Sequence, residues 1–344
     1  MGPPVRFAPL PAPWPHESAF CTFRKTARES EEEMSDQVAS HRKPEWLKIR
    51  LNATDNYHFL KKLMRAETLH TVCEEARCPN LQECWGALRT ASFMVLGDTC
   101  TRRCRFCAVS TGLPGAVDEL EPLRVASAVE HMKLSHAHIT MVNRDDLADG
   151  GASIMAATVK AIRWRAPECS IEVLTSDFMG AEDSIRAVAE SGPDIISHNV
   201  ETVRRLTPRV RSRSSYDRSL EFLRLARRLA PEMVTKSSIM LGLGETFSEV
   251  EETLSDLRSC DVDVVNIGQY LQPTRNHIPA RRYWTPQEFQ QLKEIAMEKG
   301  FLYCEAGPFV RSSYHADAQF KGFQQHLSPL RASKATPKTV ATFF

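Results

Sequence analysis

The sequence predicts an α/β protein in which six parallel strands alternate with helices, arranged as a sheet or a barrel. Three observations carry this prediction. Between about Thr90 and Tyr303, short β-branched or apolar runs alternate with amphipathic helical stretches. The connections between them have the ordinary lengths of β–α units. Polar and glycine-rich residues cluster directly after the runs: Asn143-Arg144-Asp145, His198-Asn199, Gly242-Leu243-Gly244-Glu245 and Gln269. In barrels of this class the chemistry sits on that C-terminal rim.

In chain order, strands are expected at Ser92–Leu96, His138–Val142, Ser170–Leu174, Asp194–Ser197, Thr235–Leu241 and Asp263–Gly268. Helices are expected at Val125–Leu134, Ser153–Arg165, Ala181–Glu190, Tyr216–Leu229, Ser248–Ser259 and Pro286–Lys299. In the last of these, Phe289, Leu292, Ile295 and Ala296 share one face. Before the strands, residues 43–89 form a lysine-rich amphipathic stretch followed by a cysteine group. Residues 90–303 form the β–α body, and 304–344 read as a polar C-terminal segment with a loose end. Residues 1–42 carry six prolines from Pro3 to Pro15 and an acidic run from Glu29 to Glu33, the composition of a disordered extension. Neither a signal peptide nor a transit peptide fits that composition.

The chain of 344 residues is 42% apolar, enough for a large core. With 44 basic and 43 acidic residues, the formal charge of +1 gives no bulk attraction to nucleic acid or to an anionic membrane. No stretch approaches the roughly 20 apolar residues of a membrane-spanning helix. Of ten cysteines, six fall between residues 73 and 107. That clustering favours metal ligation in a reducing compartment over disulfides. The remaining four, Cys21, Cys169, Cys260 and Cys304, read as small core or surface residues. The eleven histidines show no metal spacing, and His131, His136 and His138 read as an incidental cluster.

The strongest motif is Cys100-Thr-Arg-Arg-Cys104-Arg-Phe-Cys107. Three thiolates can hold three irons of a [4Fe–4S] cube and leave the fourth open to another ligand. Zinc prefers four closed ligands in paired spacing and fits this run poorly. The second group is Cys73-Glu-Glu-Ala-Arg-Cys78-Pro-Asn-Leu-Gln-Glu-Cys84. Taken alone its spacing would suit zinc as well. Each trio is one ligand short of a closed site, so a further donor is needed from elsewhere.

In order and spacing, the two trios resemble those of the lipoyl synthase family. The likeness extends over roughly residues 43–322. It includes Arg42-Lys-Pro-Glu-Trp-Leu47, Leu96-Gly-Asp-Thr-Cys-Thr101, Ser197-His-Asn-Val-Glu-Thr202, Gly242-Leu-Gly-Glu245, Gly268-Gln-Tyr-Leu-Gln-Pro-Thr274 and Gly307-Pro-Phe-Val-Arg-Ser-Ser-Tyr314. The resemblance implies a partial (β/α)6 barrel of TIM type, flanked by N- and C-terminal extensions that carry an auxiliary cluster. It implies that Cys100, Cys104 and Cys107 hold the [4Fe–4S] cluster that binds and reduces S-adenosylmethionine. Cys73, Cys78 and Cys84 would hold the auxiliary [4Fe–4S] cluster, with Ser313, or less readily Ser312, as fourth ligand. That cluster would be the sulfur source. A serine oxygen is a harder, poorer iron ligand than thiolate, which suits a cluster that is taken apart.

The implied reaction is sulfur transfer: two sulfurs inserted at carbons six and eight of an octanoyl group on a lysine of a lipoyl carrier domain. Implied partners are octanoylated carriers, namely 2-oxoacid dehydrogenase E2 subunits and the glycine-cleavage H protein, and a low-potential donor of flavodoxin or ferredoxin type. A cytoplasmic monomer without nucleic-acid or membrane partners is expected. Asn199, Glu201, Gly242, Gly244 and Glu245 are candidates for contact with S-adenosylmethionine, although an ordinary turn or a helix cap would also explain them. Gln269, Gln272 and Arg275 are candidates for positioning substrate, and Lys236 faces either the rim or a solvated edge. The chain departs from the family at Met141, Asn143 and Ser176, where serine, aspartate and proline are usual.

Overall fold

The computed structural model describes residues 42–48, 54–86 and 91–313. Most of the expected N-terminal extension with Cys21, Tyr314 of the Arg-Ser-Ser-Tyr motif, and the expected loose tail lie outside the described residues.

The strands are β1 (His70–Thr71), β2 (Ser92–Val95), β3 (Thr99–Cys100), β4 (Ser110–Thr111), β5 (His136–Met141), β6 (Ser170–Leu174), β7 (Ile195–Ser197), β8 (Val234–Leu241), β9 (Val264–Gln269) and β10 (Tyr303–Gly307). Eight of them form one sheet in the order β1-β2-β5-β6-β7-β8-β9-β10. All neighbours pair in parallel except β1, which lies antiparallel to β2. β1 and β10 are both edges, so the barrel is open. The six expected strands are all present, each within two residues of its expected ends.

The sheet continues further than the sequence suggested. Residues Tyr303–Gly307, of which all but Tyr303 fall in the expected polar C-terminal segment, form a seventh parallel strand on β9, with Tyr303 opposite Val264 and Gly307 opposite Gly268. The segment Tyr-Cys-Glu-Ala-Gly has one fully buried residue, Cys304, so its composition hid its place in the sheet. β3 and β4 form a separate pair that clamps the two ends of the Cys100–Cys107 loop.

From β2 to β10 of the eight-stranded sheet, at least one helix lies between each pair of successive parallel strands, as parallel pairing requires. Helix ends follow the local chemistry. Thr246 and Thr285 each accept from the backbone of the residue three positions on, and the glutamate there reaches back, forming capping boxes. Within Pro286–Glu298, Phe289, Leu292 and Ala296 of the expected apolar face are buried.

The barrel interior is layered. Ile195, Val234 and Val264, with Tyr303 against them, form an apolar plug near the N-terminal ends of their strands. Above it lies a charged layer, because the strand stagger brings Lys236 level with Glu172. Their Nζ–Oε1 distance is 3.0 Å with both side chains almost fully buried. Burial alone would raise the Glu172 carboxyl, but the Lys236 ammonium and the His136 and His138 rings hold it well below the usual range. Lys236 therefore faces neither rim nor solvent. A buried charge survives only when paired, and Glu172 also accepts from Ser197 Oγ at 3.0 Å.

His198, just past β7, ties three elements together. Its Nδ1 donates to the Thr175 carbonyl and its Nε2 faces Ser219 Oγ, both at 2.9 Å. A carbonyl can only accept, so the proton of the neutral ring sits on Nδ1. Burial, with Arg211 nearby, pushes this histidine down from 6.5 to about 4. A depressed histidine binds fewer protons folded than unfolded, so its stabilisation is full above pH 6.5 and is lost as the pH falls towards 4. The contribution is about 3 kcal/mol over that window. Urea midpoints at pH 7 and pH 5 should show a larger drop for wild type than for His198→Gln. Equal drops would mean that His198 is not the titrating group.

Candidate functional site

A cavity of about 460 Å3 opens at the C-terminal rim of the strands. Its floor is made by the last inward-facing residues of the barrel, among them Met94, Thr140, Leu174, Ser238 and Gly268. Cys100, Cys104 and Cys107 line the cavity, and so do Cys73 and Cys78 with Ser312 and Ser313. A smaller cavity adjoins it, lined by Cys73, Cys78, Cys84, Ser92, Arg311 and Ser313, with His136 and His138 behind. Cys73, Cys78, Arg311 and Ser313 border both spaces. Five of the six clustered thiols thus open on one chamber, and the sixth, Cys84, lines the smaller cavity beside it.

The first trio is held from below. Cys100 ends β3, and its Sγ accepts from the Arg102 amide at 3.4 Å and the Asn143 amide at 3.3 Å. The side-chain amide nitrogen of Asn143 lies 3.7 Å from the same sulfur. The departure at Asn143 therefore places a donor, where a carboxylate would place a charge, beside a thiol. Arg102 pins the loop: its guanidinium makes two 2.8 Å contacts to Asp145 and one of 2.6 Å to Asp177. Arg218 reaches Asp177 from the other side at 2.7 Å. Burial would raise the Asp177 carboxyl, but Arg102, His198 and Arg218 hold it well below the carboxylate range.

Burial pushes the Cys107 thiol up to about 12 and raises Cys104, with Arg211 pulling the latter back. In the second trio burial lifts Cys73 to about 11 and also raises Cys78, against the nearby Arg311 cation. Desolvated thiolates of this kind need a cationic partner. Ser92 Oγ donates to Ser313 Oγ at 2.8 Å. Ser313 lines the space shared with all three thiols of this group; Ser312 lines only the larger cavity.

The predicted cofactor residues divide. Asn199 and Glu201 line the cavity. Glu201 sits at φ +66°, held there because its amide donates to Ser238 O at 3.0 Å and its carbonyl accepts from Met240 N at 2.9 Å. Left-handed backbone at a non-glycine residue is a strained state that clusters at functional sites. Burial raises the Glu201 carboxyl, offset by Arg211 and Asn199.

Gly242, Gly244 and Glu245 do not line the cavity. Glu245 accepts from the amides of Gly242 and Leu243 and from Trp284 Nε1, closing its own turn. A Cβ on Gly242 would meet Gln269 Nε2 at 2.2 Å and the Arg282 carbonyl at 2.5 Å. This glycine permits a close approach to the Gln269 side chain and the Arg282 backbone. Gln269 is committed to the same packing, donating to three carbonyls and accepting from the Trp284 amide. Gln272 lines the cavity, whereas the exposed Arg275 does not.

Sequence reasoning missed Arg211, Ser92, His136 and His138. Arg211 is buried against the Asn199 and Val200 carbonyls at 3.0 Å each, yet nothing in the arginine-rich segment around it separates it from exposed neighbours. The two histidines form no incidental cluster: they face inward on β5, whereas His131 is exposed on its helix. Their alternation with Ala137 on a strand was the available signal.

The donor chemistry fits iron–sulfur clusters: two thiol trios, each framing part of one chamber. Among the described residues, no three His, Cys, Asp or Glu side chains converge as ligands of a single ion do. The chamber also fits a polar ligand. Asn143 Oδ1, Thr175 Oγ1, Asn199 Oδ1, Ser238 Oγ and Asn266 Oδ1 are buried without a hydrogen-bond partner among the described residues, and all five residues line it. Native structures rarely leave such atoms unpaired.

Comparison with known proteins agrees with this chemistry. Residues 94–257 match the Radical SAM superfamily, and residues 19–78 match the N-terminal domain of lipoyl synthase of that family. Lipoyl synthase of Halalkalibacterium halodurans is 60% identical over 278 residues, 81% of this chain and 92% of that protein. Lipoyl synthase of Bacillus subtilis is 61% identical over 278 residues, 81% of this chain and 93% of its own. Among solved structures, Streptococcus suis SuiB bound to S-adenosylmethionine superposes with a TM-score of 0.50 at 10% identity, covering 84% of this chain and 61% of that one. That likeness concerns the fold. No helix among the described residues is long and apolar enough to cross a membrane.

Gly242→Ala tests the packing role of its turn. Positive φ and the close contacts should cost about 1–3 kcal/mol. The variant should melt at a lower temperature with unchanged iron content per folded chain. Iron loss without a lower melting temperature would return the turn to the metal site.

Proposed function

Because this chain belongs to the lipoyl synthase family, within the Radical SAM superfamily, we propose that it inserts two sulfur atoms at C6 and C8 of a carrier-bound octanoyl group, with sulfur drawn from a second, auxiliary cluster. Membership itself implies a radical S-adenosylmethionine enzyme with a [4Fe–4S] cluster. The observation that carries the finer reading is the shared chamber, bordered by Cys100, Cys104 and Cys107 and also by Cys73, Cys78 and Ser313. A carbon activated beside the first trio would lie within the same enclosure as sulfur held by the second.

When bound at Cys100, Cys104 and Cys107, the cluster supplies the electron that opens S-adenosylmethionine to a carbon radical, the chemistry an unactivated methylene demands because it has no acidic proton. The chain's own residues do the rest. Arg211 and Glu201, of opposite charge, suit the carboxylate and ammonium of an amino-acid group. Asn199, Ser238 and Asn143 offer unpaired polar atoms to orient it. Apolar walls from Val109, Leu174, Ile239 and Leu271 suit an alkyl chain and exclude water from it. Arg102 holds the thiol loop in place through Asp145 and Asp177.

Octanoylated lipoyl domains are the proposed substrates, a flavodoxin- or ferredoxin-type protein the proposed reductant, and the cytoplasm the proposed compartment. The test is anaerobic reconstitution, iron and sulfide counting, and mass spectrometry of an octanoylated carrier peptide after turnover. Two [4Fe–4S] clusters predict about eight irons per chain. Replacing Cys100, Cys104 and Cys107 with alanine should leave about four irons and abolish 5′-deoxyadenosine. Production of 5′-deoxyadenosine by that variant would sink the assignment of the first trio.

Ser313→Cys separates the two clusters' work. Thiolate suits iron better than a hydroxyl, so the variant should keep its auxiliary iron, still form 5′-deoxyadenosine, and slow or lose sulfur insertion. Lipoyl product at the wild-type rate would remove Ser313 from the ligand set.

A further inference from the structure

His138 stands out among the charged and nitrogen-bearing groups inside the barrel. With His136 it alternates around Ala137 on β5, so both rings point inward, at 3% and 5% exposure. The groups around it have partners. His136 Nδ1 lies 2.7 Å from Ser170 Oγ. Glu172 takes hydrogen bonds from Ser197 at 3.0 Å and from Lys236 at 3.2 Å. Neither ring nitrogen of His138 makes a hydrogen bond among the described residues. Glu172 Oε1, at 3.7 Å from Nε2, is beyond hydrogen-bond reach.

A buried polar group left without a partner costs about 1–3 kcal/mol. A polar atom from outside the described residues is therefore expected beside this ring. The ring lines the cavity framed by Cys73, Cys78, Cys84 and Ser313. We infer that His138 donates a ring N–H hydrogen bond to a sulfur of the auxiliary cluster, an inference that rests on the proposed second cluster. Glu172 is already served by Lys236 and Ser197, so the single proton of a neutral ring can sit on the nitrogen that faces the sulfur. Hydrogen bonds to cluster sulfurs stabilise the reduced, more negative state and raise the reduction potential. His138 would then set how readily this cluster accepts an electron, apart from any role in holding it.

The test uses the full chain with Cys100, Cys104 and Cys107 replaced by alanine, so that only the auxiliary site can hold iron. Anaerobic redox titration followed by electron paramagnetic resonance gives its midpoint. In that background His138→Leu should lower the midpoint by a tenfold or greater change in the reduction equilibrium, about 59 mV for one electron. His138→Gln, which keeps an N–H donor, should shift it less. With 15N-histidine, the reduced cluster should show a ring-nitrogen coupling that disappears in His138→Leu. An unchanged midpoint in a loaded His138→Leu cluster, or a coupling that survives that substitution, would overturn the inference. If His138→Leu fails to hold iron, the labelled parent decides alone: nitrogen coupling supports the bond, and no coupling refutes it, a buried water being then the partner. A parent chain that binds no iron removes the second cluster and this inference with it. A parent that holds four irons without coupling removes only the inference.

Discussion

Seven parallel strands ending on one side are the constraint from which the site follows. A parallel sheet needs a crossover after every strand, so each strand's C-terminal end is followed by a loop at the same rim. The segments after β2, β5, β7 and β9 all reach that rim, and with them Cys100, Asn143, Asn199 and Gln272. Because β1 and β10 do not pair, the barrel has an open side. There the residues before β2 and after β10 meet: Asn80 Nδ2 donates to the Phe309 carbonyl at 2.7 Å, and Ser92 to Ser313. The second thiol group borders the chamber because both chain segments converge on this gap.

The interior shows how such a barrel stays folded around a polar centre. Charges below and at the edge of the chamber are paired within the protein, as Lys236 is with Glu172 and Arg102 with Asp145 and Asp177. Polar atoms that line the chamber, such as Asn199 Oδ1 and Ser238 Oγ, have no hydrogen-bond partner among the described residues. Unmet hydrogen-bonding capacity therefore concentrates where a ligand would supply it. Strain follows the same division: the φ of Glu201 is fixed by two backbone hydrogen bonds to β8, which turns its carboxyl-bearing residue to the cavity wall.

Much of this was legible in the chain. Strand positions could be read because alternating β–α units repeat a simple apolar pattern, and the helix from Tyr216 to Leu229 has the expected ends. The thiol trios stood out because their spacing is local. Tyr303–Gly307 escaped notice because an edge strand buries little of its length, and only β9 beside it supplies its order. The turn at Gly242 left two readings open for a related reason: a glycine announces a close approach without naming what approaches.

Alone, the sequence determined the number and order of the β–α units, the two groups of thiols and the family to which both belong, because these are patterns of neighbouring residues. Tertiary structure decided which residues share a space. It paired Lys236 with Glu172 across 64 positions, brought Ser313 to Ser92 across 221, and set His138 behind the second trio without a hydrogen bond among the described residues. Strand stagger and the open side of the barrel govern those meetings, and neither is written in the spacing of residues along the chain.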